Sequence, residues 1–174
     1  MKRPILIHPD PRLKKPALPI ADLSDDLRRL ADDMLETMYA APGIGLAAPQ
    51  IGVDTRLIVM DCIKGDGAPP RPIAMFNPEI VAASDERSIY EEGCLSIPDV
   101  YADVERPAAV TARWIDRNGA EQQETFDGLW ATCLQHEIDH LNGVLFIDYL
   151  TALRRQLITR KMVKLKKDRM REKA

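Results

Sequence analysis

The stretch from Gln135 to Gly143 constrains this sequence most, because it contains His136-Glu137-x-x-His140 within an apolar segment. On a helix, residues four apart lie on one face about one turn apart, so both imidazoles can reach one metal ion. Glu137 lies beside the first histidine, where its carboxylate can take a proton from a water on that metal. The pattern therefore predicts a metal-binding helix.

The alternative is a core or surface helix that carries two histidines by chance. The chain has three histidines, and two of them fall in this motif. Around them apolar residues recur at helical spacing, at Leu129, Trp130, Cys133, Leu134, Ile138 and Leu141. A helix this apolar is expected to be buried, and buried imidazoles need polar partners, which favours the metal site. We expect Asp127 to cap this helix and Gly143 to end it.

Length and composition predict one domain that spans residues 1–174. The chain is long enough to bury a sizeable core, and its hydrophobic content of 45% is ordinary for a soluble globular protein. We expect neither a secretory signal nor a membrane span, because no stretch of this sequence has the pattern of the first or the length of the second. Three cysteines, Cys62, Cys94 and Cys133, lack the spacing of a disulfide framework. They indicate a reducing compartment, so we expect a cytoplasmic protein.

Charge is distributed unevenly along the chain. Residues 154–174 contain ten of the 24 Lys and Arg residues but only two of the 27 Asp and Glu residues. This tail therefore carries a net charge of about +8, and the rest of the chain about −11. A basic arm on an acidic body suggests a polyanionic partner for the arm, although a solvated helix face explains the same charges.

Hydrophobic periodicity predicts an α+β fold. We expect a helix from Asp22 to Ala41 and a last helix over about 150–170. The stripe predicted for the last helix consists of Leu150, Leu153, Leu157, Ile158, Met162 and Leu165. Strands are predicted at 56–61, 72–83, 100–105, 110–115 and 120–126, with a polar loop at 64–71 and a tight turn at 116–119. This order predicts antiparallel sheets packed around the central His-Glu-x-x-His helix, with one helix at each end of the chain.

Small residues dominate the stretch from Gly43 to Gln50. They let the backbone approach a ligand or another backbone closely, although an ordinary glycine-rich turn explains them equally well. The stretch is not a dinucleotide-binding fingerprint, because the third glycine is missing and no strand leads into it.

A catalytic metal ion needs a third protein ligand besides two histidines. No histidine follows His140, which excludes the metalloproteases that take a third histidine there, whereas another type uses a downstream glutamate. Cys133 lies about 10 Å along the helix axis from His140, and Cys62 ends an apolar strand, so both are expected to pack in the core. Cys94 follows a glycine within the partly acidic stretch Tyr90–Pro98. Elimination therefore favours Cys94.

Three stretches together resemble the motifs of the peptide deformylase family of the bacterial type. They occur in the family's order, as Gly43–Gln50, Glu92–Ser96 and Gln135–His140, and the resemblance covers nearly the whole chain. It implies a metallohydrolase that removes the N-terminal formyl group from formyl-methionine of nascent polypeptides and releases formate. It also implies that metal-bound water attacks the formyl carbon, with Glu137 as general base and then acid.

The resemblance also implies roles for individual residues. The implied metal ligands are Cys94, His136 and His140, the implied oxyanion donors are Gln50 and the main-chain N–H of Leu95, and the implied supporting ion pair joins Glu92 to Arg106. The implied contacts of the peptide, laid down as an extra β-strand with methionine in an apolar pocket, are Gly43, Ile44, Gly45, Tyr90, Leu129 and Cys133. Some relatives carry an arginine that contacts the far end of the peptide where this chain has Tyr101, so that contact is not carried over.

One divalent metal ion is implied, natively Fe²⁺, while a Cys/His/His donor set also suits Zn²⁺, Ni²⁺ or Co²⁺. The resemblance further implies that the basic C-terminal helix docks on the ribosome near the exit tunnel; neither a membrane nor DNA is expected as a partner.

Two rival functions share parts of the pattern. The first is a metallopeptidase that cleaves internal peptide bonds, for which a thiolate ligand would be unusual. A ribosome- or RNA-binding module with an idle metal site would have no need of Glu137 or Gln50.

Overall fold

A computed structural model of the protein, which describes residues 1–65 and 67–174, contains three α-helices and seven β-strands. The helices are α1 (Asp25–Ala40), α2 (Gly128–Leu141) and α3 (Ala152–Glu172). The strands are β1 (Gly45–Ala47), β2 (Leu57–Met60), β3 (Ile73–Ala83), β4 (Arg87–Cys94), β5 (Ile97–Pro107), β6 (Ala109–Ile115) and β7 (Glu121–Asp127). Short 3₁₀ turns lie at Pro11–Lys14, Ala48–Ile51 and Phe146–Tyr149.

Five strands form one antiparallel sheet in the order β1-β2-β3-β6-β7, and β4 pairs with β5 in a separate antiparallel ribbon. Helices α1 and α2 cover opposite faces of the large sheet. Strand β2 shows this alternation, since Ile58 and Met60 pack with α2 residues while Leu57 and Val59 pack with α1 residues. A strand that is buried on both faces has a continuous apolar sequence, which is why 56–61 was recognisable.

Helix α2 lies between the large sheet and the β4–β5 ribbon, and ten of its 14 residues are buried. This arrangement confirms the predicted α+β fold around the His-Glu-x-x-His helix. Asp127 occupies the N-cap position, but its side chain makes no capping hydrogen bond. Gly143 follows the helix with a φ of +73°, where a Cβ would collide with the main chain of Lys14. Glycine is therefore the residue that suits this end of the helix.

The prediction for α3 was partly wrong. Ile158 and Met162 are buried against β5 and the Phe146–Tyr149 turn, but Leu153 and Leu157 are 68% and 54% exposed. Successive residues on a helix are rotated by about 100°, so neighbouring positions 157 and 158 cannot both face a narrow contact. The helix docks through a stripe that is narrower than the sequence suggested.

Strands β1 and β4 were not predicted. Strand β1 is only three residues long, and β4 pairs with β5 alone, so most of its side chains are not buried. The predicted loop spans residues 64–71, and those of its residues that the structure describes form neither helix nor strand. Residue 66 lies outside the described part of the chain. None of the helices in residues 1–65 and 67–174 has both the length and the apolar character that crossing a membrane requires.

Candidate active site

Cys94, the last residue of β4, meets the two histidines of α2. Its Sγ lies 3.4 Å from Nε2 of His140, and the ligand atoms of Cys94, His136 and His140 all lie within 4.8 Å of one another. A sulfur and two imidazole nitrogens suit a single Zn²⁺ or Fe²⁺ ion and leave a fourth position open. The fold thus brings together the three predicted ligands from two distant parts of the sequence.

Glu92 sets the orientation of His136. Its Oε1 lies 2.9 Å from Nδ1 of His136, which makes Nδ1 the N–H donor and leaves Nε2 available to a metal ion. Arg106 donates to both oxygens of Glu92, at 2.7 and 2.9 Å. Burial by itself raises the pKa of Glu92, but hydrogen bonds from Arg106 and His136 outweigh it and lower this pKa. Glu92 is therefore a buried anion that a cation compensates.

Two residues that the sequence did not single out extend this ion pair. Asp139 accepts a hydrogen bond from Arg106 at 2.8 Å and another from the Tyr149 hydroxyl at 2.7 Å. The guanidinium of Arg106 also lies 4.9 Å from the centroid of the Tyr149 ring. Asp139 follows His136 by three positions on the helix, so helical spacing was the signal for it. Tyr149 had no such signal, because its approach depends on the Phe146–Tyr149 turn.

Glu137 lines the same cleft as Cys94 and His136 and has an unpaired oxygen. The residue is 4% exposed, and its Oε2 has no hydrogen-bond partner among the described residues. Burial raises the pKa of Glu137 to about 7. A buried carboxylate whose oxygen is unpaired at a cleft is suited to exchange a proton with a bound water or substrate.

Gly45 allows the main chain of β1 to approach this carboxylate. A Cβ at this position would lie 2.7 Å from Oε1 of Glu137 and 2.7 Å from Sγ of Cys133. Real Cβ contacts are not this short, so any side chain at Gly45 would displace Glu137 or Cys133. The small residues of Gly43–Gln50 therefore bring backbone against the site, as expected, and also form strand β1.

Gln50 is buried and directs its side-chain amide towards the ligand cluster. Its Nε2 donates to Sγ of Cys94 at 3.6 Å and to Oγ of Ser96 at 3.1 Å, while its Oε1 accepts the N–H of Ala47 at 2.9 Å. Leu95 follows Cys94 in the turn between β4 and β5. Ser96 was missed at the sequence level, although it lies within the second motif.

A cleft of about 560 Å³ opens beside these groups, a volume typical of small-ligand sites. It is lined by all six residues predicted to contact substrate, namely Gly43, Ile44, Gly45, Tyr90, Leu129 and Cys133. Tyr101 lines its outer part and is 60% exposed. The ring of Tyr101 lies over Gly93, its cross-strand neighbour, where a Cβ would come within 2.7 Å of the ring. Because Gly93 has no side chain, Tyr101 reaches across β4 to the cleft.

Cys133 belongs to the wall of the cleft rather than to the ligand cluster. Its thiol points towards the carbonyl oxygen of Ile44 at 3.6 Å. Contact with the Cys62 thiol, followed by burial, raises the pKa of Cys133 well above its ordinary value. Cys133 is therefore a protonated thiol at neutral pH, whereas a metal ligand would be a thiolate.

The fold and this site agree with the relatives of the chain. The family described as polypeptide deformylase matches residues 2–156. A peptide deformylase of Rhizobium meliloti is 58% identical, covering 96% of this chain and 95% of that protein. A crystal structure of a peptide deformylase from Legionella pneumophila is 47% identical with a TM-score of 0.89, covering 98% and 99% of the two chains. That of the Ehrlichia chaffeensis peptide deformylase in complex with actinonin is 39% identical with a TM-score of 0.88, covering 94% and 96%.

These similarities extend over nearly the full length of this chain and of each relative, and the same three motifs form the site in the folded chain. Neither a shared fold alone nor a short shared motif produces such agreement. The active-site helix, the two sheets and the cleft are thus those of a known enzyme family, and the chain belongs to the polypeptide deformylases.

Proposed function

We propose that this protein is a metal-dependent peptide deformylase, which removes the N-terminal formyl group from formyl-methionine of nascent polypeptides and releases formate. One observation carries the proposal. The ligand cluster of Cys94, His136 and His140 lies at a cleft together with an unpaired carboxylate oxygen of Glu137 and the side-chain amide of Gln50. Family membership supplies the reaction that these groups are suited to perform.

The donor set of one thiolate and two imidazoles fits a single divalent ion, which we propose to be Fe²⁺ natively; Zn²⁺, Ni²⁺ and Co²⁺ suit the same donors. When bound, such an ion polarises the formyl oxygen and lowers the pKa of a water molecule. Glu92 and Arg106 serve this site by holding His136 in the tautomer that presents Nε2.

The remaining chemistry belongs to side chains and main chain of this protein. Glu137 accepts the proton of the attacking water and later donates it to the departing amine, since its Oε2 has no other partner among the described residues. Charge that develops on the formyl oxygen is stabilised by N–H donors from Gln50 and the main chain of Leu95. Donors that are held in place before the reaction stabilise such charge strongly, because they need no reorganisation.

The peptide enters as an additional strand along β1, which is an edge strand of the large sheet. Its methionine side chain occupies the apolar part of the cleft, formed by Ile44, Tyr90, Leu129 and Cys133. The main chain at Gly45 lies close to Glu137, so we expect the site to admit only the single hydrogen on a formyl carbon. An acetyl methyl group would collide there, so we expect formyl peptides to be hydrolysed far faster than acetyl peptides.

Amine release from a formyl-Met tripeptide tests the proposal, with protein purified without oxygen and reloaded with Fe²⁺ or Ni²⁺. The acetyl-Met analogue runs beside it. We expect rapid release from the formyl peptide only, and a loss of roughly 10²- to 10⁴-fold in the Glu137→Gln variant. Asp127→Asn is the matched control, because that carboxylate makes no capping hydrogen bond. Equal rates on both peptides would contradict the steric argument.

The same preparation separates the two rival functions. A metallopeptidase would cleave casein or an unblocked peptide at internal bonds, and we expect neither to be cut. A binding module without catalysis would release no amine from any peptide, and the Glu137→Gln change would leave its behaviour unaltered. Either result would replace the deformylase proposal.

We also propose that α3 docks on the ribosome near the exit tunnel, and that the protein works in the cytoplasm where nascent chains emerge. Ten Lys and Arg residues fall within 154–174, and Ile158 and Met162 are the buried residues of α3. An exposed basic helix is suited to ribosomal RNA, because neutralising phosphates releases counterions. All three cysteines are free thiols, in keeping with a reducing compartment.

A further inference from the structure

The side-chain rotamer of Gln50 does not by itself fix the orientation of its amide, which depends on hydrogen bonds at both ends. The terminal torsion of a glutamine side chain has a broad energy profile, so packing alone does not fix the plane of the amide. At one end, Oε1 accepts the N–H of Ala47 at 2.9 Å. This contact decides which end of the amide is oxygen, because a flipped amide would set two N–H donors against each other.

Ser96 fixes the other end of the amide. Its hydroxyl oxygen accepts one N–H of Gln50 at 3.1 Å, and both residues are buried, Ser96 at 0% and Gln50 at 1% exposure. The Nε2 atom has two hydrogens, and Ser96 takes one of them. The second hydrogen is directed at the ligand cluster, where Nε2 donates to Sγ of Cys94 at 3.6 Å.

The main chain holds the two partners at a fixed separation. The N–H of Leu6 donates to the carbonyl oxygen of Gln50 at 2.7 Å, and the N–H of His8 donates to the carbonyl oxygen of Ser96 at 2.9 Å. One short segment of the N-terminal region therefore ties together the 3₁₀ turn that carries Gln50 and the turn that carries Ser96. A pair of side chains anchored in this way is preorganised, so the hydrogen bond costs little further ordering.

We propose that Ser96 is a positioning residue, whose hydroxyl engages one N–H of Gln50 so that the other N–H faces the ligand cluster, where it meets the oxygen of the reacting formyl group. This inference rests on the proposed deformylase function. Ser96 itself touches no reacting atom and acts only through Gln50. Without the hydroxyl, the buried N–H loses its acceptor and the amide turns away from the orientation that the transition state needs.

The test is a double-mutant cycle on formyl-Met tripeptide hydrolysis with the metal-loaded enzyme. We expect Ser96→Ala to lower kcat by about 10-fold, less than the roughly 10²- to 10³-fold lost when an oxyanion donor is removed outright by Gln50→Ala. KM should stay nearly unchanged, since the contact matters in the transition state. In the Gln50→Ala background, Ser96→Ala should have no further effect on kcat.

Controls separate positioning from folding and from metal binding. Ser84→Ala removes a hydroxyl that hydrogen-bonds main chain at Ala109 and Glu86 outside the cleft, and it should leave kcat unchanged. Metal content and thermal midpoint are measured for each variant, because Ser96 lies two residues from Cys94. Ser96→Cys keeps nearly the same volume with a weak acceptor, so it carries the test if Ser96→Ala fails to fold.

Each result has one meaning. A wild-type kcat in Ser96→Ala and Ser96→Cys, with a slow Gln50→Ala, would overturn the inference and leave the deformylase proposal standing. Equal fold losses from Ser96→Ala with and without Gln50 would also overturn it, since they would show an effect that does not pass through Gln50. Absence of formyl hydrolysis by the metal-loaded wild type would instead refute the proposed function.

Discussion

Helices α2 and α3 both carry charged residues, but those of α2 are mostly buried and those of α3 are mostly exposed. Ten of the 14 residues of α2 are buried, and its polar side chains meet specific partners such as Glu92 and Arg106. Helix α3 has 21 residues, of which Ile158 and Met162 are buried, and most of its basic side chains are exposed to solvent. Burial makes each charge of α2 expensive unless it is paired, whereas the charges of α3 act together through their field.

The comparison predicts what a substitution changes. Around α2, loss of one group should damage stability or chemistry by a large factor. On α3, loss of one charge should matter little, and several changes should weaken association without altering hydrolysis.

The largest effect is expected from Arg106→Ala, which leaves Glu92 buried without its cation. Removing one partner of a buried ion pair costs about 3–5 kcal/mol. Urea denaturation of the metal-loaded protein measures the change in free energy of unfolding. Arg113→Ala is the matched control, since Arg113 forms an exposed pair with Glu79 at 3.0 Å and is 44% exposed. We expect that variant to lose less than about 1 kcal/mol, and similar losses in both would break the contrast between buried and exposed charge.

Gly45→Ala should reduce kcat/KM by about 100-fold, because a displacement of roughly 1 Å at a reacting group has a cost of this size. The new Cβ would come within 2.7 Å of Glu137 and Cys133. Gly43→Ala is the companion variant, since the atoms nearest to its Cβ would belong to the side chain of Leu95, which can rotate. Steady-state kinetics on the formyl tripeptide should rank Gly45→Ala well below Gly43→Ala. Equal activities would show that the contact at Glu137 is unimportant.

For α3, the triple change of Lys164, Lys167 and Arg171 to Gln should weaken ribosome binding about 10-fold and lower its salt dependence. All three side chains are exposed. Substitution changes the charge of α3 alone, whereas truncation after Arg154 would also remove the buried residues Ile158 and Met162. Hydrolysis of free peptides should stay unchanged.

Sedimentation with ribosomes at two salt concentrations measures this binding. The control is the change of three exposed basic residues away from α3, namely Lys15, Arg29 and Arg87, to Gln. If both triple variants bind ribosomes equally well, α3 is not the docking element and the proposal for this helix fails.

The smallest effect is expected from Tyr101→Ala at the outer part of the cleft. Loss of an exposed aromatic contact should raise KM for a formyl-Met tripeptide roughly 2- to 10-fold and leave a dipeptide analogue unaffected. Ile89→Ala is the control, because Ile89 is 65% exposed on the same ribbon and does not line the cleft. An unchanged KM for the tripeptide would show that peptide does not reach Tyr101.

Local patterns were sufficient for much of the fold. The spacing of His136, Glu137 and His140 and the apolar residues around them predicted α2, because helical periodicity is a property of neighbouring residues. The continuous apolar run at 56–61 predicted β2, because such a run is also a property of neighbouring residues. Even Cys94 could be favoured, because the helix axis set Cys133 too far from His140.

The sequence by itself thus determined the helices, most strands and the motif residues that could serve a metal site. Only the tertiary structure decided that Asp139 and Tyr149 share Arg106, that Ser96 holds Gln50, and that Leu157 faces solvent while Ile158 faces the core. The hydrogen bonds among these contacts join residues up to 46 positions apart. Periodicity shows which face of an element is apolar, but it does not show which distant element will cover that face.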